Sequence, residues 1–355
     1  MTSLQEMPDD ILEVIYKNLD IHDAISTNTA LRRKIKVAKL TFIYSKKSFH
    51  MIPIYFRRYM NIYYNVKQKD IDDYLYTDVN SVICDHSTYD LSKLYSLKEI
   101  QIYKGVSSNF TIDVGSLTKL IKLKHSGFEI LNVTNLTNLE YLYCTDKNLN
   151  DVSTLTKLTH LECPCTMVSN VNMLVNLLTL SCARTNIEDI SNLHKLKRLY
   201  CSDTKIKHVN HLFDLEYINC EKNNMITNID NLPKLNTIYC GNSSVYTITN
   251  LPNLTNLYSS RSKLSEINNL PNLNILQCME TPLLDINNLT SLTYLNCNYT
   301  NISNINNLVN LKILECKYTL IHDISKQINL HTLFSKESRI IISEKIKLRI
   351  RNIYN

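Results

Sequence analysis

Leucine, isoleucine and valine recur along most of this chain in a fixed syncopation that is neither helical nor strictly alternating. The unit beginning at Leu289 reads Leu289, Leu292, Leu295, Cys297, Thr300, Ile302, Ile305; an earlier one reads Leu174, Leu177, Leu180, Cys182, Thr185, Ile187, Ile190. Equivalent residues open units at Leu117, Leu136, Leu155, Leu174, Leu193, Leu212, Leu232, Leu251, Leu270, Leu289 and Leu308, nineteen residues apart except for one step of twenty after Leu212. The extra residue falls within Asn223-Asn224-Met225-Ile226, and the phase continues undisturbed beyond it. A weaker unit precedes the series (Leu94, Leu97, Ile100, Ile102) and a degenerate one follows it (Leu330, Leu333, Ser335, Ile340). Such a period makes each unit one turn of a stacked coil, since no single turn can bury its apolar face alone.

Within a unit, Tyr294-Leu295-Asn296-Cys297 alternates, putting Leu295 and Cys297 on one face and Tyr294 and Asn296 on the other, the signature of a strand. Stacked in phase at about 4.8 Å per strand, eleven such units make a parallel sheet roughly 50 Å long. The return path from Thr300 to Leu308 is too short for a helix of three turns. Irregular or 3₁₀ backbone is predicted there, with Asn-Asn and Asn-Ile steps taking the turn conformations that glycine, present only four times, would otherwise supply.

The unit resembles the leucine-rich repeat, whose core pattern maps onto Leu292, Leu295, Cys297, Thr300 and Ile302, with cysteine replacing one leucine and threonine usually replacing asparagine. The resemblance implies an α/β leucine-rich-repeat solenoid over residues 91–335, with a parallel sheet on its concave face and an irregular or 3₁₀ convex side. Residues 336–355 are expected to form a C-terminal cap, in which Glu344-Lys-Ile-Lys-Leu-Arg-Ile-Arg351 alternates cation and aliphatic like a charged edge strand.

Candidate chemistry is sparse. Nine of the eleven cysteines occupy one slot of the repeat: Cys144, Cys163, Cys182, Cys201, Cys220, Cys240, Cys278, Cys297 and Cys316, with His125 and Ser259 in two further rungs. Tetrahedral zinc needs four convergent ligands, whereas this slot makes a straight inward row, so buried thiol packing is expected and no metal. Cys165 falls outside the slot and reads as a surface thiol. No GxSxG, HExxH or phosphate-cradling glycine loop is present, so neither an enzyme nor a cofactor is predicted. No apolar run reaches eighteen residues and MTSLQEMPDD lacks a secretory pattern, which predicts no membrane association and a reducing compartment, the cytoplasm with the nucleus as alternative.

Outward strand positions say more about partners. They hold Tyr141, Tyr143, His160, Glu162, Arg198, Tyr200, Tyr217, Asn219, Tyr239, Tyr258, Tyr294, Asn296 and Glu315. Tyrosine gives large contact area and a polar tip at low entropic cost, so this set reads as a protein-binding face. The predicted partner-binding residues are Tyr141, Tyr143, Arg198, Tyr200, Tyr217, Tyr239, Tyr258, Tyr294 and Asn296. β-Propensity and AT-rich coding would also place tyrosine on strands.

Residues 1–40 differ in texture. Pro8 and the acidic pair Asp9-Asp10 suit the start of a helix, and Ile11, Leu12, Ile15 and Leu19 form one apolar stripe. A second helix is predicted from Asp20 through Ile35. Met7-Pro8, Asp9-Asp10, Ile11-Leu12, Val14-Ile15, Leu19 and Asp23-Ala24-Ile25 resemble the start of an F-box, and departure comes at Thr29-Ala30-Leu31-Arg32, where that family shows Val-Cys-x-x-Trp. An F-box followed by leucine-rich repeats is similar to proteins encoded by large eukaryotic DNA viruses. It implies a substrate receptor of a cullin–RING ubiquitin ligase, monomeric on its own and in the host-cell cytoplasm if viral. Met7, Pro8, Ile11, Leu12, Ile15 and Leu19 would then hold a Skp-type adaptor, the concave sheet a target protein. A plain α-helical cap is the other reading of this segment.

Residues 41–90 read as a basic, aromatic-rich linker or cap. Across 31–70, eleven cations face one acid, Asp70, a charge of +10 against +6 for the whole chain. A solvated helical face over an aromatic core is the favoured reading, single-stranded nucleic acid binding the alternative. Three functions therefore stand: ligase substrate receptor, interaction scaffold or inhibitor without a ligase, and nucleic-acid binding through residues 31–70.

Overall fold

A computed structural model describes residues 41–44, 61–64, 81–84, 91–95, 97–102, 111–127, 129–340, 344, 348 and 350–354. The F-box-like helices of residues 1–40 and most of the basic run lie outside the described residues. The chain divides into two compact units, Met1–Leu149 and Asn150–Asn355.

The first unit carries strands β1 (Thr41–Tyr44), β2 (Asn61–Tyr64), β3 (Ser81–Cys84), β4 (Glu99–Ile102), β5 (Thr111–Asp113), β6 (Lys122–His125), β7 (Glu129–Leu131) and β8 (Tyr141–Cys144). All pair in parallel: β1 with β2, β3 through β4 and β6 to β8, and β5 with β7. Thr41 is in register with Asn61 and Ser81 with Glu99, so strand pairing at close to the repeat length begins upstream of residue 91. The helical reading of the basic run fails at residues 41–44 and 61–64, which are strand. Thr-Phe-Ile-Tyr and Asn-Ile-Tyr-Tyr are β-branched and aromatic, and suit a pleated surface better than a helix.

The second unit continues with β9 (His160–Glu162), β10 (Thr179–Ser181), β11 (Arg198–Tyr200), β12 (Tyr217–Asn219), β13 (Asn228–Asp230), β14 (Thr237–Tyr239), β15 (Thr247–Thr249), β16 (Asn256–Tyr258), β17 (Glu266–Asn268), β18 (Ile275–Gln277), β19 (Tyr294–Asn296), β20 (Ile313–Glu315), β21 (Thr332–Phe334) and β22 (Asn352–Tyr354). The main sheet runs β9-β10-β11-β12-β14-β16-β18-β19-β20-β21-β22 with unbroken parallel register. A second, three-stranded sheet β13-β15-β17 occupies the return path of three turns, where only irregular backbone was expected. Thr-Ile-Thr and its neighbours alternate with a buried centre, and the residue inserted after Asn223 precedes the first of these strands.

From β9 to β21, each turn of the main sheet buries the middle residue of its strand, the ladder residue after it and the periodic leucines, as at Leu295, Cys297, Leu289 and Leu292. The return path is closed by short hydrogen-bonded turns, Leu193 N to Ile190 O at 3.0 Å and Leu196 N to Leu193 O at 3.1 Å in one unit. Pro233, Pro252 and Pro271 sit second in such turns, where a φ fixed near −65° is required anyway. Asparagines two positions after the opening leucine clamp successive turns: Asn253 Nδ2 donates to Pro233 O and Asn272 Nδ2 to Pro252 O, both at 2.7 Å.

Left-handed backbone is placed differently from expectation. Asn132, Asn231, Asn250 and Asn269 adopt it, but so does the residue two after each ladder position from Cys163 to Cys316, including Arg184, Asp203, Lys222, Arg261, Glu280, Tyr299 and Tyr318. Arg261 and Glu280, neighbours in that column, form an ion pair at 3.1 Å, and Tyr299 stacks on Tyr318 at 4.8 Å. The edge strand expected over 344–351 is instead Asn352–Tyr354, while Glu344 and Leu348 are helical, Leu348 being 90% exposed. Among the described residues no helix is long and apolar enough to cross a membrane.

Candidate functional site

Each turn contributes to two columns of side chains, the ladder inside the coil and the row on the open face of the main sheet. Inside, Cys144, Cys163, Cys182, Cys201, Cys220, Cys240, Cys278, Cys297 and Cys316 are all free and fully buried, with His125 and Ser259 equally buried in their rungs. Sγ of Cys297 lies 3.5 Å from the Glu315 carbonyl and that of Cys182 3.6 Å from the Tyr200 carbonyl, so thiols bridge weakly to the next turn. Burial raises the pKa of Cys182, Cys201, Cys240 and Cys297, and pushes Cys220, Cys278 and Cys316 up to about 12. A thiol held neutral this firmly is a poor nucleophile at neutral pH. Burial also lowers the pKa of His125 to about 4, so the imidazole beside Cys144, Nδ1 3.8 Å from its Sγ, is uncharged. Among the described residues no group of three or more His, Cys, Asp or Glu side chains is placed to hold a metal ion. Cys165 is exposed, as expected of a thiol outside the slot.

On the open face of the second unit, the side chains at the first and third positions of each main-sheet strand from β9 to β21 stand out from the sheet around a buried middle residue. Tyr200, Tyr217, Tyr239, Tyr258, Tyr294 and Asn296 are half-buried there, and Arg198 is exposed. Four of them are in continuous contact: Tyr200 to Tyr217 at 4.9 Å, Tyr217 to Tyr239 at 5.7 Å, Tyr239 to Tyr258 at 4.4 Å between ring centroids. The contacts follow from register, since Tyr239 and Tyr258 are directly paired across neighbouring strands, whereas Tyr200 and Tyr217 meet on the diagonal. Partial burial and the adjoining tyrosines push the Tyr217 hydroxyl up to about 12.

Tyr294 and Asn296 belong to a second cluster. Tyr294 Oη donates to Glu315 Oε1, Asn296 Nδ2 to Glu315 Oε2 at 3.1 Å, and Asn298 Nδ2 to the same oxygen at 3.5 Å. The row occupied by Glu315 continues through Phe334 and Tyr354, whose rings stack 4.5 Å apart and 7° from parallel. Asn298, Phe334 and Tyr354 were not singled out from sequence, although Phe334 stands nineteen residues after Glu315 and extending the register would have found it. Tyr141 and Tyr143 lie in the first unit, where Lys122 and Lys124 Nζ approach the Tyr141 ring at 5.6 and 5.5 Å. Met7, Pro8, Ile11, Leu12, Ile15 and Leu19 lie outside the described residues. An open hollow of about 590 Å³ beside the sheet is lined by Glu216, Lys234, Asn236, Asn253, Thr255 and Asn272. Of these, Lys234 is paired with Asp214 at 2.6 Å, and Asn253 and Asn272 belong to the turn clamp.

Comparison with protein-family models and with curated proteins finds no match. Solved structures do match. The internalin InlF of Listeria monocytogenes is 22% identical, over 81% of this chain and 88% of that one, with a TM-score of 0.57. The fold is the leucine-rich repeat. The functional domain of InlJ from the same organism, which includes a cysteine ladder, is 24% identical over 76% of this chain and 71% of that one, TM-score 0.57. YopM of Yersinia enterocolitica is 17% identical over 78% and 67%, TM-score 0.56. Identities this low establish the leucine-rich-repeat architecture and its stacked parallel sheet, and nothing finer.

Proposed function

We propose that this leucine-rich-repeat chain is a non-catalytic recognition subunit that binds a protein target on the open face of its main sheet. The observation that carries this reading is the run Tyr200, Tyr217, Tyr239, Tyr258, four contacting aromatic side chains on consecutive strands of a rigid scaffold. Aromatic side chains already ordered by mutual packing lose little entropy on binding, which is what makes them anchors. In the same proposal, residues 1–40 engage a Skp-type adaptor through Met7, Pro8, Ile11, Leu12, Ile15 and Leu19, making the chain the substrate receptor of a cullin–RING ubiquitin ligase in the cytoplasm. Support for that half is the F-box-like sequence alone.

Co-purification tests both halves. Full-length protein should bring down a Skp-type adaptor and cullin, and deletion of residues 1–40 should abolish that while leaving target capture intact. An adaptor that fails to appear, or that survives the deletion, removes the ligase half and leaves an interaction scaffold. That second reading is favoured by one feature, the absence of tryptophan from the whole chain, the F-box position included. Replacing Tyr239 and Tyr258 by serine should leave the array folded and weaken target capture; unchanged capture would move the site off this face.

A further inference from the structure

Glu315 is the one carboxylate at an outward position of the main-sheet strands from β10 to β22. The others are threonine, serine, arginine, tyrosine, asparagine, isoleucine, glutamine and phenylalanine. Three surface carboxylates of the second unit have found cations: Asp214 pairs with Lys234, Glu216 with Lys197 and Glu280 with Arg261. No ion pair among the described residues involves Glu315, although Lys312, Lys317 and Lys336 belong to its own and the next turn.

Its surroundings hold it in place instead. Three donors approach from the preceding turn, Tyr294 Oη, Asn296 Nδ2 and Asn298 Nδ2. Asn298 is itself fixed, because its Oδ1 accepts from Lys317 N at 2.7 Å and its own N–H donates to Asn296 Oδ1 at 3.2 Å. An ionised carboxylate can accept about four hydrogen bonds, so these three do not exhaust it. On the other side, in the same row, stands the flat Phe334–Tyr354 stack. A fixed carboxylate with no ion-pair partner, beside an aromatic pair, is the environment that receives a guanidinium or ammonium group, through a charge-assisted hydrogen bond and the quadrupole of the ring.

We infer that Glu315 and the Phe334–Tyr354 stack form the seat of a cationic side chain, an arginine or lysine carried by the protein partner. The inference rests on the open-face reading above and deepens it. The tyrosine run supplies contact area, and Glu315 fixes the partner's register by charge. Three-residue strands present only two outward side chains each, so the face is long and narrow and suits an extended segment better than a flat domain surface.

A displayed library of random dodecapeptides, selected against the full-length protein, reads the specificity directly. Enriched sequences should carry arginine or lysine at one position, and selection against Glu315→Gln should lose that preference while keeping the rest of the consensus. Glutamine retains the size and one acceptor of glutamate, so the array stays folded, which circular dichroism checks. A synthetic peptide of the enriched sequence should bind E315Q about tenfold more weakly, with the difference shrinking as salt rises. Selection against Glu315→Lys should replace the cation by aspartate or glutamate. A wild-type consensus without a cation, or a cation preference that persists in E315Q, overturns the seat and leaves the open-face reading standing. Selection that yields no consensus with wild type, or the same consensus after Tyr239→Ser and Tyr258→Ser, overturns recognition of extended segments on this face altogether.

Discussion

The side-chain amide of Asn223 donates to Thr204 Oγ1 at 3.2 Å, joining two turns of the coil through their fully enclosed interior. Thr204 is the ordinary occupant of this slot. Its hydroxyl donates to the carbonyl of Cys201 three residues back at 2.9 Å, as Thr166, Thr185, Thr281, Thr300 and Thr319 do in their own turns. Asn223 does more. Its Nδ2 also reaches Ile206 O at 3.3 Å, and its Oδ1 accepts from Met225 N at 2.8 Å and Ile226 N at 2.9 Å. These last two are the backbone groups of the one repeat lengthened to twenty residues, so the amide absorbs an insertion that a threonine hydroxyl could not span.

Asn223→Ala should therefore destabilise the array by about 2–3 kcal/mol, because it orphans buried backbone donors as well as removing bonds. Asn223→Thr should recover only part of the loss. Urea denaturation followed by circular dichroism measures both; a threonine variant as stable as the parent would show that the insertion does not depend on the amide.

Acid should weaken the first unit through His125. Its folded pKa is lowered to about 4 from 6.5 by burial, so the unfolded chain binds the proton first. The associated stability is complete above pH 6.5 and is lost as pH falls toward 4, by about 3 kcal/mol at the limit. His125→Cys, which extends the thiol ladder by one rung, should flatten the pH dependence of thermal unfolding between pH 7 and pH 4. An unchanged slope would place the acid sensitivity elsewhere.

Alkali should act through the ladder thiols in the opposite direction. Burial holds Cys220, Cys278 and Cys316 at about 12 against an ordinary 9.0, so above pH 9 the unfolded chain loses protons that the folded one keeps. Stability is intact below pH 9 and falls up to pH 12, each thiol losing about 1 kcal/mol by pH 10. Replacing Cys220 and Cys278 by alanine should lower stability at pH 7 through lost packing yet reduce its slope between pH 9 and 10.5, where the tyrosines contribute less. Chemical denaturation across that range distinguishes the two effects.

Among the cysteines from Cys144 to Cys316, iodoacetamide should modify Cys165 alone in the native protein, since the nine others are enclosed. Peptide mass mapping at pH 8 should show the ladder labelled only when urea opens the coil, and turns that open early would be labelled first. Labelling of Cys297 in native buffer at the rate of Cys165 would contradict the enclosed ladder.

The coil is legible in the chain alone. A nineteen-residue period with leucine at fixed offsets leaves each turn unable to bury its face except against the next, and the alternation around Leu295 and Cys297 assigns inward and outward residues before any coordinates are known. It also marked Tyr239 and Tyr258 as outward. Periodicity says nothing about what happens between side chains of different turns, and there the tertiary structure decided. The diagonal contact of Tyr200 with Tyr217, the three donors gathered on Glu315 and the second sheet β13-β15-β17 depend on register and on which rotamers neighbouring turns allow. The left-handed corners show the same division: the chain places Arg184, Tyr299 or Glu280 there as readily as asparagine, because the stacked backbone on either side of the corner enforces a conformation that local preference alone would refuse.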